Sequence, residues 1–356
     1  MKRIHILSPG FSNPNSCAFL YPFFIFQSVL EEANYTIRIF NELSEYITAC
    51  DVLLIEHKAM TRCMGIEAIL ISLAKLSEQT SIIWCDQSDS TGTFLGQVLP
   101  YVKKYLKAQI LADPALYKNQ FYADRIYTDY YHRKHDVVDE QYYDYQPALS
   151  NQNVAKIDVS WNSGLMNNGY WGPYVNRLLK YIQSPALTFF SAPFADAQDK
   201  RFLDLSCRMG IPYARPTVRF QRESIRKILR AHTSTDKLSR LAYLRELSQS
   251  KLCISPFGYG EITLKDFEAF LTGSALLKPN MSHLKTWPNF YENGVTYISH
   301  SWDLDDLEEK IDWALSHDLE RTEIAYNAQN CYSAYTKDRE APSRFLKHFQ
   351  EMIQLF

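Results

Sequence analysis

The chain has 356 residues, of which 46% are hydrophobic and 14% aromatic, and its formal net charge is −2. At roughly 150 residues per domain, this length predicts two domains, each with enough apolar side chains for a packed core. The charge gives no electrostatic case for general nucleic-acid binding, and the longest apolar patch, residues 18–29, is too short and too polar to span a bilayer.

Strand and helix patterns alternate through the first half of the chain. In chain order, the predicted elements are strand 2–8, helix 18–33, strands 35–40 and 51–57, helix 65–79, strand 81–86 and helix 95–106. The run 51–57 (DVLLIEH) is almost continuously apolar, which is typical of a strand buried on both faces of a parallel sheet. This alternation predicts a doubly wound α/β domain.

The middle of the chain is irregular and rich in aromatic residues. Residues 113–145 contain eight tyrosines, with basic side chains together at 132–135, and residues 161–178 combine aromatics with turn residues. This pattern fits either a packed surface layer or a lip on the acceptor side of a site. It is also where we expect any peripheral contact with a membrane.

The alternation resumes after Ser184-Pro185, where we predict the domain boundary. Residues 1–184 would form one domain and residues 185–356 the other, with the last helix packing back on the first domain. The predicted elements of this second half, outside the stretch 252–283, are strand 187–190, helix 199–209, strand 217–220, helices 224–230 and 237–250, strand 294–298, helix 301–317 and a helical remainder.

The seven cysteines stand singly, without a C-x-x-C pair or a Cys/His cluster at zinc-like spacing. Unpaired thiols are typical of a reducing compartment. The opening residues, MKRIHILSPG, indicate a buried strand instead of a cleaved export signal. We therefore predict a cytoplasmic protein that uses no metal and no cofactor.

The stretch 252–283 carries most of the functional signal. An apolar run is followed by a loop with Gly258, Tyr259 and Gly260, a helical pattern over 261–271, and a second apolar run that ends before Lys278. Ligands of parallel α/β sheets bind at the carboxyl ends of the strands, where helix N-termini offer free N–H groups to anions.

The helical period predicts two faces for the helix 261–271. Glu261, Lys265 and Glu268 would share one face, and an apolar set would pack on the sheet. The charged face fits either a solvated ion pair or a ligand site, and the glycine loop before it favours the site.

Four short segments in the second half of the sequence resemble the donor-site signature of GT-B glycosyltransferases, in the bacterial group 1 and exostosin-like branches. They are SPFGYGE (255–261), KDFEAFLTG (265–273), LLKP (276–279) and NGVTYISHSWDLDDLEEKI (293–311). The resemblance implies two Rossmann-like domains facing across a cleft. It also implies transfer of a sugar from a nucleotide-sugar donor to a glycan, lipid-linked or protein acceptor, in bacterial surface-polysaccharide or glycoconjugate synthesis.

The resemblance also implies roles for particular residues. Glu268 would bind the ribose hydroxyls, the loop amides of residues 258–260 would lie near the diphosphate, and Glu261 would approach the sugar or a phosphate. Glu261 and Glu268 stand one residue closer together than the matching glutamates of the common retaining branch, so the role of Glu261 and the retaining or inverting outcome stay open.

Transfer without a metal needs cations for the leaving diphosphate and, for inversion, a base for the acceptor hydroxyl. For each of these residues a structural role, as an ion pair, a turn or a cap, is the alternative. The candidate cations are Lys265, Lys278, Arg215, Arg219 and Arg222, and the candidate bases are Asp86, Asp89, Glu56 and His57. Residues 9–15, after the first strand, would form the acceptor loop.

Other functions remain open at this point. They are a two-domain α/β sugar- or nucleotide-binding protein, an NAD-dependent oxidoreductase, and an inactive or partner-dependent GT-B subunit. The oxidoreductase is disfavoured because the first strand is followed by SPGFSNPN, which lacks the G-x-G-x-x-G pattern of dinucleotide-binding folds.

Overall fold

The computed structural model describes residues 1–141 and 148–354. Three tyrosines of the aromatic middle stretch, Tyr142, Tyr143 and Tyr145, lie outside the described residues. The strands are β1 (Lys2–Leu7), β2 (Tyr35–Phe40), β3 (Val52–Glu56), β4 (Ser81–Asp86), β5 (Lys104–Lys107), β6 (Gln109–Leu111), β7 (Ile157–Val159), β8 (Leu203–Ser206), β9 (Ser250–Ile254), β10 (Ala275–Pro279), β11 (Leu284–Thr286) and β12 (Ile298–His300).

Helices precede, separate and cover these strands. They are α1 (Pro14–Ile25), α2 (Gln27–Glu32), α3 (Lys58–Thr61), α4 (Ile66–Ser77), α5 (Ile126–His135), α6 (Asn151–Val154), α7 (Gly172–Leu179), α8 (Pro216–Leu229), α9 (Arg240–Gln249), α10 (Leu264–Thr272), α11 (Leu307–Ser316), α12 (Asp318–Thr336) and α13 (Ala341–Ile353). None of the helices in the described part of the chain is both long and apolar enough to cross a membrane.

The first sheet has the strand order β2-β1-β3-β4-β5-β7, and its pairs are parallel. Strand β3 is buried along its whole length, as its apolar run predicts. Because its two neighbours are β1 and β4, the residues that follow β1, β3 and β4 meet at one edge of the sheet.

The second sheet is smaller, with the order β12-β10-β9-β8 and parallel pairs. Helix α10 connects β9 to β10, so its first turn lies at the carboxyl end of β9. The predicted fold class, two Rossmann-like α/β units with parallel sheets, is confirmed.

Three connections tie the two units together. Strands β6 and β11 form an antiparallel ribbon between the first and second halves of the chain. Helix α13 packs in the core of the first sheet, where Phe345 stacks on Phe26 at 4.7 Å between ring centroids. Helix α5, from the first half, contributes Tyr127 and Tyr131 to the core around α10. The domain boundary at residue 184 therefore stays a prediction.

Several predicted elements are wrong, and a proline lies in or just before three of them. The helix expected at 95–106 is a short 3-10 turn (Gly96–Tyr101), which contains Pro100, followed by β5. The strand expected at 187–190 is replaced by a 3-10 turn beginning at Pro185, followed by a loop.

Two other segments change type because pairing or capping overrides local preference. The segment 199–209, expected as a helix, contains β8, which pairs with β9 as the edge of the second sheet. The separate strand and helix expected between 217 and 230 form one helix, α8, with Pro216 at its first position. Strand β12 and helix α11 begin later than the sequence pattern predicts.

His300, at the end of β12, should make the second unit sensitive to acid. It is 1% exposed, and burial lowers its pKa to about 4, against the opposing effect of Asp306. Because the folded pKa lies below the unfolded value near 6.5, the stabilisation is complete above the unfolded pKa and is lost as pH falls toward 4.

We expect the free energy of unfolding of the native chain to fall by about 2 kcal/mol more than that of His300→Gln between about pH 7 and pH 5. Urea unfolding at both pH values measures the difference, and the glutamine amide can still donate to the Ser301 carbonyl that His300 Nδ1 contacts at 2.7 Å. Equal losses in the two proteins would show that His300 does not cause the acid sensitivity.

Candidate functional site

A cavity of about 350 Å³ lies in the cleft between the two units. Both halves of the chain contribute to its wall. The lining residues are Phe11, Ser12, Asn13, Pro14, Cys17, Met166, Asn167, Asn168, Pro173, Asn176, Arg177, Lys180, Arg240, Leu264 and Glu268. Residues 11–13 belong to the predicted acceptor loop after β1.

Two helix N-termini open on this cavity. Helix α1 begins at Pro14, and the Asn13 side chain caps it by accepting from Ser16 N at 3.1 Å. Helix α10 begins at Leu264 behind a capping box formed by Thr263 and Asp266. The N-terminal ends of both helices carry partial positive charge, which favours an anion in the space between them.

Glu268 lies one turn into α10 and lines the cavity, as its predicted role in donor binding requires. Its Oε1 accepts from Arg240 Nη1 at 2.7 Å, and among the described residues its other oxygen accepts no hydrogen bond. Burial raises the pKa of Glu268, opposed by Arg240. The free carboxylate oxygen can accept hydrogen bonds from ligand hydroxyls.

Arg240 also fixes the opposite wall. Its Nη2 donates to the carbonyls of Asn168 and Gly169, at 2.8 and 2.7 Å. One guanidinium therefore joins α10 of the second unit to the 166–171 loop of the first half. Arg240 lies outside the segments that resemble the family signature. Only its position at the start of a predicted helix could have suggested it as a site residue.

Three buried amide groups of the wall lack partners among the described residues: Asn167 Nδ2, Asn168 Oδ1 and Asn176 Oδ1. Leaving a buried polar group unpaired costs about 1–3 kcal/mol. Arg177 and Lys180 line the same wall and are exposed. The cavity therefore offers unused hydrogen-bonding groups and cations to a polar, anionic ligand.

The carboxyl ends of β3 and β4 bring together the carboxylates and histidine predicted as candidate bases. Glu56 is fully buried, with Oε2 accepting from Ser16 and Ser8 at 2.9 and 3.2 Å. Burial raises its pKa. Lys58, which follows in sequence, donates to the cap residue Asn13 at 3.2 Å. This cluster therefore adjoins the wall of the cavity.

Asp86, predicted as the catalytic base, is 2% exposed and already engaged. It accepts from Tyr105 Oη at 2.6 Å and from Lys107 Nζ at 3.1 Å. Burial opposes ionisation, but Lys107 and His57 hold the pKa of Asp86 well below its usual range. A buried, hydrogen-bonded carboxylate of lowered pKa is poorly suited to act as a base, and the catalytic role of Asp86 stays a prediction.

His57 and Asp89 are less buried than Asp86. His57 Nδ1 accepts from the Gln87 amide at 2.9 Å, so the neutral ring carries its proton on Nε2, and burial lowers its pKa. Asp89 is exposed, and its Oδ1 accepts from Asn15 in the first turn of α1 at 2.7 Å. Of the predicted bases, Asp89 is the carboxylate open to solvent.

Glu261 is not on α10, contrary to the predicted helical face, because the cap at Thr263 starts the helix later. It is fully buried and accepts from Ser90 Oγ, Thr91 Oγ1 and Gln109 Nε2 at 3.0, 2.8 and 2.9 Å. Burial opposes its ionisation, but contacts that include His283 and Thr91 lower its pKa. Its three donors belong to the first half of the chain, so Glu261 joins the two halves instead of facing the cavity.

The glycine loop, residues 258–260, also lies at the contact between the two halves of the chain. A Cβ at Gly260 would lie 2.0 Å from the Asp89 carbonyl oxygen, so only glycine permits this close approach. The Gly258 amide donates to the Gly260 carbonyl at 3.0 Å. The carbonyls of Gly258 and Tyr259 accept from Tyr127 Oη and Arg125 Nε, at 2.7 and 2.9 Å. These residues do not line the cavity, and their role near a diphosphate stays a prediction.

The predicted cations also have structural partners, which was the alternative for each of them. Lys278 is fully buried and pairs with Asp266 at 3.2 Å, and Lys265 donates to the Arg208 carbonyl. Strand β10 points Lys278 toward the cap of α10, and for both lysines burial lowers the pKa. Lys265, in the first turn of α10, and Lys278 are both absent from the lining of the cavity.

The three predicted arginines of the 215–222 region lie outside the cavity wall as well. Arg215 pairs with Asp139 at 3.3 Å, and Arg222 donates to the Phe257 carbonyl at 2.6 Å. Arg219 lies 3.6 Å from Glu223, one turn along α8. The sequence analysis missed the cations of the cavity because they lie outside the segments that resemble the family signature. These cations are Arg177, Lys180 and Arg240.

Within residues 1–141 and 148–354, no group of three or more His, Cys, Asp or Glu side chains is placed to hold a metal ion.

No family model and no curated protein match the chain. Solved structures similar to it include Anabaena HepE in complex with UDP-glucose, at 10% identity over 99% of this chain and 100% of that chain, with a TM-score of 0.45. An α-glucosyltransferase in complex with UDP and DNA is 12% identical over 99% of each chain, with a TM-score of 0.44. A glycosyltransferase from Rickettsia africae is 9% identical over 99% and 98%, with a TM-score of 0.45. The two α/β units with parallel sheets are the architecture that the sequence predicts, while the GT-B assignment and its exostosin-like branch stay predictions.

Glu261→Ala tests the role of the buried carboxylate. We expect the free energy of unfolding to fall by about 3 kcal/mol, because three donors of the first half lose their acceptor in a buried site. Chemical denaturation measures the loss, with Glu292→Ala, an exposed glutamate of the second unit, as control. Native stability combined with lost turnover would restore the catalytic role predicted for Glu261.

Proposed function

We propose that this chain is a glycosyltransferase that binds a nucleotide-sugar donor in the cleft cavity and transfers the sugar to a hydroxyl acceptor. The observation that carries the proposal is the arrangement around Glu268. A carboxylate with a free oxygen, three cations and two helix N-termini surround one cavity between two α/β units.

Each group suits one part of the donor. The free oxygen of Glu268 accepts from the ribose hydroxyls, as the sequence resemblance implies. Arg177, Lys180 and the first turns of α1 and α10 supply positive charge for the diphosphate. The unpaired amides of Asn167 and Asn168 add a donor and an acceptor for sugar hydroxyls.

The chemistry follows from this charge distribution. The bond between the anomeric carbon and the diphosphate oxygen breaks, and its electron pair stays on the diphosphate. The acceptor oxygen bonds to the anomeric carbon and gives up its proton. Fixed cations and helix dipoles stabilise the departing negative charge without a metal ion.

Asp89 is the base that we propose for the acceptor proton, and transfer would then proceed with inversion. It is exposed at the carboxyl end of β4, and Asn15 orients it from the first turn of α1. Asp86, whose Oδ1 lies 3.5 Å from His57 Nδ1, would contribute only through its negative charge. The free cysteines support a cytoplasmic reaction, and the sequence resemblance extends the proposal to bacterial surface-polysaccharide or glycoconjugate synthesis.

Glu268→Gln should weaken nucleotide binding about tenfold, because it keeps an oxygen for Arg240 but removes the charge that strengthens hydrogen bonds from hydroxyls. Thermal shift with UDP, GDP and CMP identifies the base of the nucleotide, and calorimetry then measures affinity, with Glu292→Gln, at an exposed glutamate, as control. The proposal fails if no nucleotide raises the melting temperature, and stabilisation by NAD alone would favour an oxidoreductase.

Asp89→Asn should lower the rate of sugar transfer at least about 100-fold, because an amide cannot take the acceptor proton, while nucleotide affinity stays unchanged. Release of nucleoside diphosphate from labelled donors measures the rate. Native turnover in this variant would exclude Asp89 as the base. Nucleotide binding without turnover in the unmodified chain, with any acceptor, would point to an inactive or partner-dependent subunit.

A further inference from the structure

An exposed apolar face lies beside the cleft, on α7 and the turn that follows it. We define this aromatic face by five side chains: Trp171, Tyr174, Leu178, Tyr181 and Ile182. Their exposed fractions run from 45% for Tyr174 to 76% for Tyr181. Apolar surface gathered in one place on an otherwise ordinary protein surface marks an interaction site.

The sequence of α7 explains how the face arises. Val175 and Leu179 point into the core of the first sheet, whereas Trp171, Tyr174 and Leu178 follow each other at helical spacing on an adjacent side. Tyr170 adds to the edge, with its ring centroid 5.1 Å from that of Trp171. The helix thus has one apolar side for the core and a second that no described residue covers.

Charge decides what kind of partner fits this face. From residue 159 to residue 195 the chain contains no Asp or Glu, although acidic residues make up 40 of its 356 positions. The same segment holds Arg177 and Lys180, both exposed, and the Lys180 ammonium lies 5.5 Å from the centre of the Tyr181 ring. The aromatic face is therefore locally cationic on a chain whose net charge is −2.

We propose that the aromatic face docks the protein on an anionic lipid surface. Trp and Tyr are the side chains that settle at the boundary between lipid headgroups and acyl chains. Lys and Arg side chains near an anionic bilayer are attracted to its negative surface charge. Insertion of aromatic side chains, together with two cations, is the combination that holds a peripheral protein reversibly on a membrane.

The aromatic face lies next to the cleft cavity, so docking on a membrane would bring the cavity close to the lipid surface. Pro173, Asn176, Arg177 and Lys180 of the same segment line the cleft cavity. A bilayer under the aromatic face would therefore lie at the mouth of the cavity. If the cavity transfers sugar, as proposed above, an acceptor carried on a lipid would reach it without leaving the membrane surface. The docking itself does not depend on that activity.

Sedimentation with lipid vesicles tests the proposal without any nucleotide. We expect the full chain to bind vesicles of equal parts phosphatidylcholine and phosphatidylglycerol, and to bind vesicles of phosphatidylcholine alone much more weakly. The double variant Trp171→Ala, Tyr181→Ala should bind about tenfold more weakly, because two interfacial aromatics are removed. Tyr46→Ala, at an aromatic that is 68% exposed elsewhere, is the matched control and should bind like the native chain.

Three results would overturn the proposal: no binding to anionic vesicles, equal binding by the double variant, or a dimer in solution that the double variant abolishes. The last would make the aromatic face an interface between two copies of the chain. Nucleotide affinity measured on the same double variant should stay unchanged. Vesicle binding and nucleotide binding can thus fail separately, which keeps this inference distinct from the proposed function.

Discussion

The buried Glu261 carboxylate determines how the two α/β units meet. It accepts hydrogen bonds from three residues of the first half of the chain, Ser90, Thr91 and Gln109, although Glu261 itself belongs to the loop after β9. A buried carboxylate must keep its donors, since removing them leaves a charge in a site of low dielectric constant. The geometry of the cleft follows from this contact, because the same loop leads directly into α10 and places Glu268 at the cavity.

Gly260 and Arg240 provide two further contacts between the halves of the chain. The missing side chain at Gly260 lets the Asp89 carbonyl approach the loop, and Arg240 ties α10 to the loop of Asn168. The residues that resemble a phosphate-binding loop in sequence therefore act mainly as the joint between the units. The anion-binding character of the cleft comes instead from the helix starts and from the cations of α7 and α9.

Sequence patterns were sufficient for the sheets and for one key residue of the site. Near-continuous apolar runs identified β3 and β4, and the segments that resemble the family signature include Glu268, which lines the cavity. Local patterns could not reveal that Lys278 turns inward to Asp266, because a strand of a parallel sheet is buried on both faces and its lysine needs a partner that is distant in sequence. Glu261 was misplaced because the cap at Thr263 fixes the start of α10. Arg240 is far in sequence from Arg177 and Lys180, and the three side chains come together only in the folded chain. No periodic pattern in a single sequence reveals such a contact.

Helix α13 has a consequence for the order in which the chain can fold during synthesis. Its phenylalanines occupy the core of the first sheet, Phe345 against Phe26 and Phe349 against Phe23, but they are translated long after β1 to β7. Domains usually fold as they leave the ribosome, N-terminal first. Here the apolar site that α13 fills in the N-terminal core stays empty until residues 341–353 have left the ribosome. The apolar core of the nascent first unit therefore stays partly exposed to solvent while the whole second unit is synthesised.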